Sequence, residues 1–158
     1  MLYNIRKMTT NEYNLLDDFL YEAIFQPDQS CLAPRTIINK PELQVYIKDF
    51  GAYPDDYCLC AEADKRVVGA VWVRCINGYG NIGESIPEFA ISVLKEYRGQ
   101  GIGTALMTEM LEHLKSNGYS KASLAVQKEN YALKMYLSVG FEIIDENREE
   151  YIMVHNLS

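Results

Sequence analysis

Apolar positions change period several times along the chain, and the changes mark out its elements. Residues 2–7 read as a first strand ending at Thr9. Thr9 and Glu12 make a capping-box pattern, behind which Leu15, Leu16, Phe19, Leu20, Ala23 and Ile24 recur at helical spacing. Residues 26–40 contain Pro27 and Pro34 and fit no regular element, which predicts a long loop of the kind that is often functional in compact domains. Pro41 opens a second predicted helix through Leu43, Tyr46, Ile47 and Phe50, ended by Gly51. Residues 57–62 and 67–76 are rich in β-branched and aromatic side chains and read as a hairpin turning at 63–66. A glycine-rich loop at 77–83 leads back to a short apolar run at 89–94, read as a buried strand. After a charged turn, Leu106, Met107, Met110, Leu111 and Leu114 repeat at three- and four-residue spacing, with Asn117-Gly118 as the stop signal. A strand at 121–126, a helix at 131–139 closed by Gly140, and strands near 141–144 and 151–155 complete the chain. The order β-α-α-β-β-β-α-β-α-β-β predicts an α/β domain with a mixed sheet.

The turn between the buried strand and the third helix carries the candidate chemistry. Gly99, Gly101 and Gly103 lack a Cβ, so a ligand can approach their backbone closely. A helix N-terminus presents unpaired N–H donors and partial positive charge, which makes this turn a candidate phosphate cradle. No carboxylate occurs from Arg98 to Thr108, although acids are normally favoured in a first helical turn. Another anion is therefore expected there. A P-loop would need a lysine between glycine and Ser/Thr, and Gly103-Thr104 has none. A dinucleotide fingerprint counted from Gly99 would want glycine at Thr104 and an acid near Ser123, and has neither.

Val93, four residues, then Arg98-x-x-Gly101-x-Gly103 resembles the acyl-CoA signature of the GNAT superfamily of N-acetyltransferases. The later segment Asn130-Tyr131-Ala132-Leu133-Lys134-Met135-Tyr136-Leu137-Ser138-Val139-Gly140-Phe141 is similar to a second piece of that superfamily, in the right order. The resemblance implies a mostly antiparallel central sheet flanked by helices, splayed between the strands carrying Val93 and Val126. A pantetheine arm would enter the splay, bonded by the backbone of Ile91, Ser92 and Val93. The pyrophosphate would lie on the N–H groups of Arg98, Gly99, Gln100, Gly101, Ile102, Gly103 and Thr104. Asn130 would contact the arm, and also reads as a helix cap. Lys95, Lys128 and Lys134 could add positive charge, but only Arg98 has motif support.

The implied reaction is direct acetyl transfer from acetyl-CoA to a primary amine, without metal. Tyr136 would protonate the departing thiolate, or else is a core tyrosine. An alkyl ammonium has a pKa of about 10.4, so a base must remove its proton. Glu88 at the start of the buried strand and Glu84 in the preceding loop are the candidates, either directly or through water. Loops 26–40 and 77–87 are expected to shape the acceptor pocket. Two other readings remain open: an acyl-CoA sensor without turnover, which Tyr136 argues against, and a nucleotide-binding regulatory domain, which the missing P-loop lysine argues against.

Composition narrows the partners. The 158 residues, 48% hydrophobic, predict one domain over residues 1–158 with a sizeable core. A net charge of −7 disfavours nucleic acid, whose binding draws on basic patches, and favours cationic partners such as amines. No apolar run reaches the roughly 18 residues of a membrane span, and residues 1–6 lack a signal peptide's apolar centre, so a cytoplasmic protein is expected. A homodimer is left open. Cys31, Cys58, Cys60 and Cys75 lack zinc-like spacing, with Cys58 and Cys60 placed on one strand face as reduced core thiols. His113 and His155 have no nucleophile nearby in the pattern and read as structural.

Overall fold

Two-residue alternation in the middle of the chain becomes a sheet with a different apolar layer on each face. The computed structural model describes every residue except Met1, Phe25, Pro27, Gln29 and Glu84. In chain order the elements are β1 (Asn4–Lys7), α1 (Leu16–Ala23), α2 (Pro41–Gln44), β2 (Tyr57–Ala63), β3 (Arg66–Arg74), β4 (Glu88–Val93), α3 (Ile102–Ser116), β5 (Lys121–Gln127), α4 (Leu133–Ser138), β6 (Glu142–Glu146) and β7 (Glu150–Asn156). The strands form a seven-stranded sheet in the order β1-β2-β3-β4-β5-β7-β6. Every neighbouring pair is antiparallel except β4 and β5. The element order is the one the periodicity predicts.

Alternate residues of β2 and β3 face opposite layers. Leu59, Ala61, Val71 and Val73 pack with Leu106, Met107 and Met110 of α3. Cys58, Cys60, Ala70 and Trp72 pack with Leu16, Phe19 and Leu20 of α1. All four cysteines are free thiols. Asp64 and Lys65 both take positive φ at the β2–β3 turn, the geometry of a two-residue turn that matches strand twist. His113 stacks on Tyr57 with centroids 3.5 Å apart, and a ring nitrogen of His155 meets the Val139 carbonyl at 2.9 Å; both are packing roles.

Between β1 and β2, three predicted elements differ from the observed ones. The stripe behind Thr9 begins as a 3-10 turn over Thr10–Leu15 before α1, with the capping box present. Loop 26–40 contains a further 3-10 turn at Arg35–Asn39. The second predicted helix stops after Gln44, and residues 45–50 continue as turns with three-residue bonds such as Tyr46 N–H to Leu43 C=O (3.1 Å). The cause lies on β3. Arg74 donates to the carbonyls of Val45 and Lys48, and Trp72 Nε1 donates to that of Tyr46, which turns inward the groups an α-helix would use along its own axis.

Candidate active site

The single parallel junction of the sheet is also its weakest. β4 and β5 pair only at Glu88 and Ser123, through the Ser123 N–H to the Pro87 carbonyl at 3.0 Å. Beyond that point the strands part. Leu94 N–H bonds Val68 on the β3 side, so strand alternation turns the backbone groups of Phe89, Ile91 and Val93 toward the gap. The Val93 carbonyl accepts from Arg98 Nε at 2.9 Å. The bridge at Glu88 and Ser123 also takes up the Phe89 N–H, so the Phe89 carbonyl and the donor and acceptor of Ile91 are left on the edge, and buried backbone groups without partners are costly. Ser92 lines the neighbouring cavity, but its hydroxyl donates to the Phe19 carbonyl (2.7 Å) and ties α1 to β4.

Where β4 ends, Gly99 and Gly101 take φ of 77° and 84°, and Gly101 is the residue that starts α3. The first bond inside α3 runs from Ala105 N–H to the Gly101 carbonyl, 3.0 Å. The N–H groups of Ile102, Gly103 and Thr104 thus stand at the helix mouth without helical acceptors, and the first turn holds no acid. A cavity of about 270 Å³ opens onto this mouth. Ile91, Ser92, Val93, Arg98, Gly99, Gly101, Ile102, Gly103, Thr104, Asn130 and Tyr136 all line it, whereas Gln100 does not. Its carboxylate among the described residues is Glu22 of α1, 3.3 Å from Arg98.

A second cavity of about 340 Å³ lies on the other side of the gap, lined by Ile37, Leu43, Tyr46, Tyr79, Phe89, Glu42, Glu149 and Glu150 among others. Ala23, Ile91, Asn130 and Tyr136 line both cavities. Asn130 accepts the Ala132 N–H at 2.9 Å, which shortens the predicted helix to its observed start at Leu133. Tyr136 is held edge-on against Phe141, centroids 6.2 Å apart. Burial first, and Tyr131 second, push its phenol above its ordinary pKa.

Glu88 sits at the bottom of the gap, 2% exposed. Its Oε2 accepts from the Tyr46 hydroxyl and from the Gly80 N–H at 2.9 Å; Oε1 has no hydrogen bond. Burial raises its pKa from the ordinary glutamate value, against the lowering effect of Tyr46 and of the Gly80 and Gly78 amides. The Gly78 amide contributes to the field without completing a hydrogen bond. Gly80 has to be glycine, since a Cβ there would stand 2.7 Å from the Leu124 carbonyl carbon and 2.8 Å from Ala125 N. Glu84, the other candidate base, lies outside the described residues.

The strand gap thus has a glycine-led helix mouth on one side and a separate cavity on the other. The profile of the "Acetyltransferase (GNAT) family" matches residues 18–141. The chain belongs to the GNAT family. Among GNAT relatives, it is 37% identical over 134 residues to the uncharacterized N-acetyltransferase YobR of Bacillus subtilis, covering 84% of this chain and 47% of that protein. An uncharacterized N-acetyltransferase of Methanocaldococcus jannaschii is 32% identical over 143 residues, 89% of this chain and 61% of that one. The chain thus spans about half the length of these curated relatives. The PaiA N-acetyltransferase of Thermoplasma acidophilum in complex with coenzyme A superposes with a TM-score of 0.71 at 21% identity, covering 99% of both chains.

Within this GNAT domain the predicted site residues that line the gap share it with four residues that the sequence pattern did not single out. Tyr46 reads as part of a helix stripe, Tyr79 and Gly80 fall in a glycine-rich loop, and no pattern marks Glu22. Only contact across the chain gives them a place. The closely spaced Gly78 and Gly80 ahead of Glu88 are the one local signal that backbone amides crowd that carboxylate.

Proposed function

We propose that this domain transfers an acetyl group from acetyl-CoA directly to a primary amine. The observation that carries the proposal is that two cavities meet at Tyr136 in the gap where β4 leaves β5. The edge groups of Phe89 and Ile91 suit a ligand arm that carries amides, and the N–H groups opening α3 suit a pyrophosphate. The coenzyme A bound to the Thermoplasma neighbour supports the same ligand class. Acetyl-CoA, when bound, supplies the activated thioester.

This chain's residues manage two protons. Tyr136 keeps its proton through the ordinary pH range because burial raises its pKa, so it can donate to a departing thiolate. Glu88 takes the proton of the incoming ammonium, its raised pKa making it a stronger base than an exposed carboxylate. On the acceptor side Glu42, Glu149 and Glu150 outnumber Lys40. None of the four is in an ion pair among the described residues, which supports a cationic acceptor. Among the described residues no helix is long and apolar enough to cross a membrane.

The test is release of CoA thiol from acetyl-CoA against monoamines, diamines, polyamines, amino acids and basic peptides. Amine-dependent release, strongest with acceptors bearing a second positive charge, is expected. Acetyl-CoA binding without release on any acceptor would favour the sensor reading, and stabilisation by ATP alone the nucleotide reading.

Tyr136→Phe is expected to lower kcat by about 10²-fold, the lower end for acid catalysis, with acetyl-CoA affinity nearly unchanged. The ring that packs on Phe141 is kept and only the proton is lost. Any decline of the wild-type rate from ionisation of this phenol is expected above pH 10, its ordinary value being raised, and absent from the variant; pH–rate profiles at saturating acetyl-CoA read both.

Glu22→Gln is expected to tighten acetyl-CoA binding a few-fold by removing a negative charge from the phosphate side and releasing Arg98 from its ion pair. Partly exposed pairs are worth roughly 0.2–1 kcal/mol, so the gain should be small and shrink with added salt. Calorimetric titration at low and high salt measures it; weaker binding would mean the pair holds Arg98 in its binding position.

A further inference from the structure

Glu88 is the base of the proposed reaction, yet it lines neither cavity. Tyr46 stands between Glu88 and the acceptor cavity: it lines that cavity and its hydroxyl donates to Glu88 Oε2. We infer that Tyr46 is the relay through which the proton of the bound ammonium reaches Glu88, an inference that rests on the acetyl-transfer reading above.

The geometry of Tyr46 is fixed before any substrate arrives. Arg74 Nη1 donates to the Val45 carbonyl (3.1 Å) and the Lys48 carbonyl (2.8 Å), and Trp72 Nε1 to that of Tyr46 (3.0 Å). Arg74 is itself clamped by both oxygens of Asp56, each at 3.0 Å. Three bonds from β3 thus hold the backbone on both sides of the tyrosine. Its phenolic oxygen accepts the Tyr79 N–H at 3.0 Å, and a phenol that donates once and accepts once retains a further acceptor lone pair. The loop closes over the other side of the pair: a Cβ at Gly78 would lie 2.7 Å from the Tyr46 oxygen and 2.8 Å from each Glu88 oxygen.

The step balances without any further reactant. One N–H bond of the ammonium breaks as its proton passes to the Tyr46 oxygen, and the Tyr46 O–H bond breaks as its own proton passes to Glu88 Oε2. Tyr46 is neutral before and after. Glu88 becomes a neutral acid, and the nitrogen retains its electron pair for the thioester carbonyl.

The groups facing the pair set its response to pH. Burial first, and Glu150 on β7 last among the causes, raise the pKa of both Glu88 and Tyr46. Arg74, opposite Glu88 on β3, is paired with Asp56; Ser123, opposite it on β5, is uncharged. Tyr79 and the amides of Gly78 and Gly80 face it from the loop, while Glu42, Glu149 and Lys40 share the cavity that Tyr46 lines. The Tyr46 hydrogen bond lowers the Glu88 pKa. Removing that hydroxyl therefore raises it further.

The experiment is kcat/KM for an accepted amine against pH in wild type, Tyr46→Phe, Glu88→Gln and the double variant, with acetyl-CoA affinity and melting temperature measured alongside. Tyr46→Phe is expected to lose about 10²-fold, keep its acetyl-CoA affinity, and show an acid limb moved to higher pH. The double variant is expected to be no slower than Glu88→Gln, because the two residues act as one unit. Replacement of Tyr46 by 3,5-difluorotyrosine keeps the ring's shape and serves if the phenylalanine variant does not fold. Its more acidic hydroxyl donates more strongly, so its acid limb is expected to move the opposite way, to lower pH. An acid limb that neither replacement moves, or losses that multiply in the double variant, would overturn the relay. If Tyr46→Phe is fully active while Glu88→Gln is slow, only the relay fails and Glu88 remains the base. If the wild type releases no CoA thiol with any amine, the acetyl-transfer reading fails, and the relay with it.

Discussion

Glu88→Gln should lower kcat/KM for the amine by about 10²- to 10⁴-fold, the span over which positioned acid–base groups act, while acetyl-CoA affinity stays near wild type. Glutamine keeps an oxygen for the Tyr46 hydroxyl and the Gly80 N–H, so the gap should keep its shape. What is lost is the ability to accept a proton. The wild-type acid limb is expected at higher pH than an exposed glutamate would give, because burial raises the Glu88 pKa and the base works only when ionised. The variant should lack that limb and retain only the dependence from the amine's own ionisation near pH 10.4. Stability has the opposite sign. A carboxyl whose folded pKa is raised favours the fold most below its unfolded pKa and loses that contribution as pH rises through the folded value. At neutral pH the buried charge is a cost, and the neutral variant should melt no lower than wild type. A full-rate Glu88→Gln protein with an intact acid limb would remove Glu88 from the chemistry.

Gly101→Val should abolish measurable acetyl-CoA binding, a loss of about 10²-fold or more if the cradle supplies even two charge-assisted bonds of about 1.5–3 kcal/mol each. Gly101 has φ of 84° where α3 begins, a conformation a β-branched residue strongly resists. Nothing lies within 4 Å of a Cβ placed there, so the damage comes from the backbone: valine pulls the turn out of the left-handed region and misaligns the N–H groups of Ile102, Gly103 and Thr104. Strain of this kind costs of order 1–3 kcal/mol, and a folded variant is expected with a lower melting temperature. Gly103→Ala is the control. Its Cβ would meet the flexible Met135 side chain, 3.2 Å from the sulfur, rather than the helix mouth, so binding should fall far less. Calorimetry on the two folded variants separates them; equal affinities would remove Gly101 from the cradle.

That contrast also marks how far the sequence could be read. Glycines at 99, 101 and 103 announce close approach, but which of them bends the chain and which packs on Met135 depends on φ and on α4, an element thirty residues away. Strands are legible from β-branched and aromatic content and short apolar runs, and burial then divides them by alternation, with Cys58 and Cys60 on one layer and Leu59 and Ala61 on the other. The second helix was misjudged because its apolar spacing is helical while its carbonyls are claimed by Arg74 and Trp72 on another strand. Tyr46 therefore looked like one more core position. Glu88 was legible as a carboxylate at a strand start, but not its burial, which comes from residues 78–80 folding back over it. Tyr136 was singled out by its motif, and its place between two cavities is a property of the gap between β4 and β5 that no local pattern encodes.

The most direct measurement is a crystal structure of the protein with acetyl-CoA. The expected density places the pyrophosphate on the N–H groups of Ile102, Gly103 and Thr104, the arm between β4 and β5 against the backbone of Phe89 and Ile91, and the thioester beside Tyr136 facing the second cavity. Acetyl-CoA bound elsewhere, with β4 and β5 left apart and empty, would contradict it.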